Sequence, residues 1–306
     1  MSNPNEKIIQ KLNEIIAGEN FSGAFLFSGP ADTGKKEAAL ELIQRINNPE
    51  ISVDKIEQNF HPDVIFIAPE IEEKKGRTRV KEISIEQVKP EMKKADFYNY
   101  QAFKKFFVIE RADKMTVGAA NSLLKIIEEP PKDCIFLLLT SFEDRLLDTI
   151  RSRCGKVAFP LLADEKIKKW LEENYSILSE EEIRKIVFAS TGRYKLAQKL
   201  AQDKEALQKR NQEVENFRIA IKGGLNKAFD LSSDYSKDKE KLLEALDDWI
   251  YYLHSFTKEN FFKNSDLRIQ KKVFEMTREL IEVKISIETT NANPRLMLEN
   301  YFVKFS

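Results

Sequence analysis

Five short apolar runs constrain this chain more than any other feature: AFLF at residues 24–27, VIFI at 64–67, FFVI at 106–109, IFLLL at 135–139 and VAF at 157–159. None alternates apolar with polar residues, which is the pattern of parallel strands covered on both faces rather than of strands with one wet face. Helical stretches separate them. Ala39, Leu42, Ile43 and Ile46 form one apolar stripe at helical spacing. Ala120, Leu123, Leu124 and Ile127 form a second, which stops before Pro130 and Pro131 because a proline lacks the N–H that would continue the ladder. Strands and helices in alternation predict an α/β fold on a parallel sheet.

At 306 residues the chain is long enough for two or three domains. Beyond Pro160 no strand-like run follows. The expected division is an α/β domain over residues 1–160, a small helical domain over 161–203 and a larger helical domain over 204–306. The last has apolar anchors at Leu242, Leu246, Trp249, Ile250 and Leu253, and a helix break at Gly223 and Gly224. Ser84 with Gln87 and Ser179 with Glu182 have capping-box spacing and should each start a helix.

Acidic and basic side chains balance at 50 each, so no overall field draws the chain to nucleic acid, and any DNA contact needs a local patch. Lys89, Lys93, Lys94, Lys104 and Lys105 are the densest basic cluster, read as a solvated lysine-rich surface interleaved with acids. Cys134 and Cys154 are too few for a disulfide framework or a zinc site, and a reducing compartment fits. The first residues lack a basic region followed by an apolar one, and no apolar run reaches spanning length, so a cytoplasmic protein without membrane contact is expected.

The stretch GPADTGKK at residues 29–36 is nearly a phosphate-binding loop, lying between a predicted strand and a predicted helix. Such a loop needs glycines where the backbone curls around phosphate oxygens, a lysine for the β and γ phosphates, and a Ser or Thr hydroxyl on magnesium. Gly29, Gly34 and Lys35 meet the first two needs. Lys36 stands where the hydroxyl should be and cannot ligate a metal. An ATPase also needs an apolar strand ending in an acid for magnesium, usually followed by a glutamate that polarises water. FFVIERAD supplies Glu110 and then Arg111. With the hydroxyl and the general base both missing, hydrolysis in this chain's own pocket should be feeble or absent, and ATP binding weak or absent.

The block KKFFVIERADKMTVGAANSLLKIIEEPPKDCIFLLLTSFEDRLLDTIRSRCGKV, residues 104–157, resembles the clamp-loader subunits of the AAA+ ATPases, most closely the delta-prime branch of bacterial DNA polymerase III. HPDVIFI from His61 and ISIEQV from Ile83 strengthen the likeness, which covers roughly residues 5–200. It implies an AAA+ P-loop domain, a helical lid and an all-helical C-terminal collar. It also implies that Gly29, Gly34 and Lys35 are the Walker A loop, Glu110 the Walker B acid, and Thr140 or Ser141 the sensor of the γ-phosphate. Arg153, in Ser152-Arg153-Cys154, matches the arginine finger that such subunits project into a neighbour's ATP site. A guanidinium suits that task because it is a planar fork of permanent charge.

Some positions depart from the family pattern. Asp32 replaces a common extra glycine of the loop. Residues 44–60 hold no cysteine, so the zinc knuckle of many members is not expected, and no other metal site is foreseen. In TGRYKLA, either Arg193 or Gly192 holds the second sensor position. His61, before Pro62, reads as a structural turn residue.

Two classes of function follow. The first is a non-polymerising subunit of a DNA polymerase holoenzyme, joining a hetero-pentameric clamp loader that puts the sliding clamp on primed DNA. The second is a working P-loop ATPase, either the motor (gamma/tau) subunit of the loader or a stand-alone nucleotide kinase. Lys36 and Arg111 favour the first.

Overall fold

The apolar runs become the strands of one parallel sheet. A computed structural model describes residues 4–17, 22–47, 56, 61–74, 77–96, 103–261 and 267–305. The strands are β1 (Gly23–Ser28), β2 (Val64–Ile67), β3 (Ile71–Lys74), β4 (Arg77–Val80), β5 (Lys105–Ile109), β6 (Cys134–Thr140) and β7 (Gly155–Ala158). The main sheet runs β2-β5-β6-β1-β7, every neighbouring pair parallel. The antiparallel hairpin β3–β4 is separate from it and was not anticipated by the apolar pattern.

The missing alternation has its expected cause. In β6, Phe136 and Leu138 enter one core while Ile135, Leu137 and Leu139 enter the other; β1 and β5 divide in the same way. The first core is closed by α3 (Ile85–Met92), through Val88 and Met92, and by α4 (Val117–Glu128), through Ala119, Ala120, Leu123 and Ile127. The second is closed by α1 (Glu6–Ile16) and by α2 (Lys35–Ile46), through Ile9, Leu12, Ala39, Leu42 and Ile43. Each fully buried Leu, Ile or Phe in these layers contributes about 1.5–3 kcal/mol of transfer free energy.

A four-residue helix, α5 (Asp148–Arg151), leads into β7. Helices follow: α6 (Asp164–Asn174), α7 (Glu180–Ser190), α8 (Tyr194–Gln202), α9 (Lys204–Lys222), α10 (Leu225–Tyr235), α11 (Lys239–Phe261), α12 (Leu267–Thr289) and α13 (Pro294–Phe305). Both capping boxes form, at Ser84 with Gln87 and at Ser179 with Glu182, and the glycine pair ends α9. Leu242, Leu246, Trp249 and Leu253 are buried as anchored, with Trp249 stacked on Phe217 at 5.0 Å and donating from Nε1 to the Glu213 carbonyl at 3.0 Å. The chain divides into two compact units, Met1–Lys166 with Gly192–Leu196, and Ile167–Thr191 with Ala197–Ser306. Among the described residues no helix is long and apolar enough to cross a membrane.

The basic cluster needs correction. Lys104 and Lys105 are buried, not solvated: Lys104 Nζ pairs with Asp133 at 2.6 Å, and Lys105 Nζ donates to the Lys94 carbonyl at 3.0 Å. A β5 start pulled under its neighbours turns two lysines inward, and the carboxylate and carbonyl found there offset their desolvation.

Candidate functional site

The loop between β1 and α2 is shaped by its backbone. Gly34 has φ +87° and a Cβ there would lie 2.0 Å from Cε1 of Tyr194, so the position accepts only glycine. A Cβ on Gly29 would lie 2.1 Å from the Phe159 carbonyl oxygen. Asp32 also has positive φ, +58°, the left-handed region in which a small polar side chain is the commonest substitute for glycine. Thr33 Oγ1 donates to the Pro30 carbonyl at 2.9 Å, and Asn5 Nδ2 braces the loop from α1's N-terminus by donating to the Thr33 carbonyl at 2.9 Å.

Lys35 turns back into its own loop. Nζ donates to the carbonyls of Gly29 at 2.7 Å and Pro30 at 2.6 Å, and to Ser141 Oγ at 3.4 Å. Burial pushes its amine down to about 8, against the pull of Asp32, Asp113 and Glu37, while the Arg193 guanidinium adds to the depression.

Lys36 Nζ lies 3.2 Å from Glu110 Oε2, both side chains about a third exposed, and 4.9 Å over the ring of Phe66. An ammonium thus sits on the carboxylate that follows β5, the one expected from the sequence to face magnesium. Arg111, the next residue, is exposed with φ +52°. Position 36 lacks the hydroxyl that a magnesium–nucleotide would use there, and Glu110 is paired with the lysine that replaces it, so these two positions do not fit the metal.

Of the two sensor candidates, Thr140 is buried, donating to Asp113 Oδ1 at 2.8 Å and accepting from the Phe142 N–H at 2.9 Å, whereas Ser141 reaches Lys35. Gly192, with φ +81°, packs where a Cβ would meet the Leu162 carbonyl at 2.4 Å, and Arg193 is buried beside Lys35. Lys195 ties the same segment to the loop through its N–H to the Asp32 carbonyl at 3.1 Å and its Nζ to Glu37 at 3.1 Å. His61 is a turn residue, its Nδ1 accepting from the Asp63 N–H at 3.2 Å. Residues 44–60 lie mostly outside the described residues.

Arg153 lies in the SRC turn between α5 and β7. Its side chain is 39% exposed; Nε lies 2.7 Å from Glu128 Oε1, and Nη1 donates to the Thr149 carbonyl at 3.1 Å. Tyr194, Asp113 and Glu128 are the residues the sequence reading missed. Each lay inside a quoted motif, but nothing in the motif gave its side chain's direction.

Residues 4–163 match the family described as DNA polymerase III, delta subunit, which is more than half of the chain. The chain belongs to that family. Within it the chain is delta-prime-like. The DNA polymerase III subunit delta' of Bacillus subtilis (strain 168) is 34% identical over 176 residues, 55% of this chain and 51% of that protein. The delta' subunit of Pseudomonas aeruginosa is 30% identical over 209 residues, 65% and 61%. The chain therefore spans about half of the first relative and under two thirds of the second. A solved structure of a DNA polymerase III, gamma subunit-related protein from Thermotoga maritima superposes with a TM-score of 0.52 at 18% identity, covering 97% of this chain and 98% of that one. At that identity it shows the fold alone, a parallel-sheet domain with helices after it.

Proposed function

We propose that this chain is a clamp-loader subunit that keeps the shell of an ATP site without hydrolysing there, and lends Arg153 to ATP held by a neighbour. In this reading residues 161–203 serve as the lid and 204–306 as the collar of a hetero-pentamer that puts the sliding clamp on primed DNA. The Lys36–Glu110 ion pair is the observation that carries it. A lysine ammonium neutralises the acid that an active site would give to magnesium, and Arg111 leaves no carboxylate to polarise water. Tyr194 against Gly34, and Lys35 spent on the loop's own carbonyls, support weak or absent ATP binding. An arginine supplied in trans is worth roughly 10³–10⁵ in rate in GTPases.

The test is turnover by the pure chain and by loader complexes rebuilt with Arg153→Ala and Arg153→Lys. The pure chain should show negligible ATPase activity. The alanine complex should assemble yet lose DNA-stimulated hydrolysis at one site, and lysine should rescue poorly because it lacks the bidentate fork. Turnover by the pure chain comparable to an active AAA+ subunit would overturn the reading.

A further inference from the structure

Glu128 has no part in any motif role, and as the last residue of α4 it stands at the end of its helix that favours an anion least. It is held there because Pro130 pushes Glu129 out of helical geometry, to φ −131° and ψ 74°, so the helix ends one residue earlier. Lys125 lies in the same last turn, and the cation that reaches the Glu128 carboxylate is Arg153, Nε at 2.7 Å.

Both partners stand on a common base. Ile127, beside Glu128, and Cys154, beside Arg153, are buried in the same core, together with Ile150 of the helix that carries the Thr149 carbonyl. The two side chains are exposed, but the backbones that launch them are packed. With Nε on Glu128 and Nη1 donating to the Thr149 carbonyl at 3.1 Å and to Ser152 Oγ at 3.5 Å, the guanidinium still has its Nη2 hydrogens for a second ligand. A long arginine without such a backstop samples many rotamers and loses that freedom only on reaching its target.

We infer that Glu128 is a positioning residue for Arg153, holding the guanidinium by Nε so that Nη2 is presented to a phosphate on an adjoining subunit. This rests on the proposed role of Arg153 in trans.

The experiment measures steady-state ATP hydrolysis, kcat and KM, and subunit stoichiometry for loader complexes rebuilt with Glu128→Ala, Glu128→Gln, Arg153→Ala and the Glu128→Ala/Arg153→Ala double variant. Glu128→Ala should lower kcat roughly fivefold, the scale of an exposed ion pair, with KM and stoichiometry unchanged. Glu128→Gln, which can still accept from Nε, should lower it less. In the Arg153→Ala background the Glu128 change should have no further effect. If Arg153→Ala lowers kcat but Glu128→Ala leaves it unchanged or raises it, the finger stands and the positioning role is overturned. If Glu128→Ala costs as much without Arg153 as with it, its effect runs through the fold and the inference is overturned. If Arg153→Ala itself changes nothing, the finger reading fails and the inference falls with it.

Discussion

Lys35 shows how one side chain can keep a motif's identity while serving another purpose. Its amine is satisfied by carbonyls of its own loop, and burial lowers it from the usual 10.5 to about 8. In the unfolded chain the amine binds its proton up to the ordinary value, so between about pH 8 and 10.5 the unfolded state holds more protons. Stability carried by this group therefore rises with pH across that window, and below about pH 8 the full cost of burying the cation remains. The expected outcome is that wild type minus Lys35→Met, compared by urea midpoints, becomes more favourable to wild type from pH 8 to 10. A difference that stays flat would place the Lys35 amine in water. At Lys36 the prediction concerns the pair with Glu110. Its side chains are about a third exposed, so Lys36→Ala should cost less than about 1 kcal/mol and should not create ATPase activity, because Arg111 still stands where the base belongs.

At the scale of elements, the residues just before β5 and β6 are joined by a buried ion pair. Lys104 is fully buried, its Nζ on Asp133, while its backbone N–H and carbonyl are both bonded to the Asn47 side-chain amide at 2.9 Å. Asp133 has φ +60°, which asparagine also tolerates, so Asp133→Asn removes the charge without adding backbone strain. That variant should lose about 2 kcal/mol by leaving a buried ammonium with a neutral partner. Lys104→Met should cost little, and adding it to Asp133→Asn should recover most of the loss. Equilibrium urea unfolding of the three variants checks this; equal losses for both single variants would show that packing, not charge, is at stake. Strands β1, β2, β5 and β6 were legible because they are buried on both faces, so each apolar run is local and continuous; β7 is mostly exposed, and its run was the shortest of the five. The β3–β4 hairpin was not, since Ile71 is exposed and the rest of the two strands, EEK and RTRV, is mostly polar or charged.

Across the whole molecule, equal numbers of acids and bases leave no long-range attraction for DNA, and burial of Lys104 and Lys105 removes two members of the best basic cluster. The isolated chain should therefore bind primed DNA weakly, with an affinity that falls steeply as salt rises. If the remaining exposed lysines touch phosphate, Lys89→Ala or Lys93→Ala should each reduce the salt slope by about 1, while Lys104→Met should leave it unchanged. Tight binding that salt does not weaken would contradict this.

What the sequence determined by itself were the features carried by neighbours in the chain. The two-faced strands, the helix stops at Pro130 and after Lys222, the capping boxes at Ser84 and Ser179, and the glycine turn between β1 and α2 are all of this kind. Strand order and side-chain direction were decided only in three dimensions. The order β2-β5-β6-β1-β7 sets the end of β5 against the first turn of α2, which is why Lys36 finds Glu110, and it brings Ser141 within reach of Lys35. Tyr194 reaches Gly34 because the 192–196 segment folds back onto the α/β unit, and Glu128 meets Arg153 because Ile127 and Cys154 share a core. Periodicity reports which face of an element is apolar; it carries no information on which distant residue that face will meet, because that is fixed by how whole layers pack.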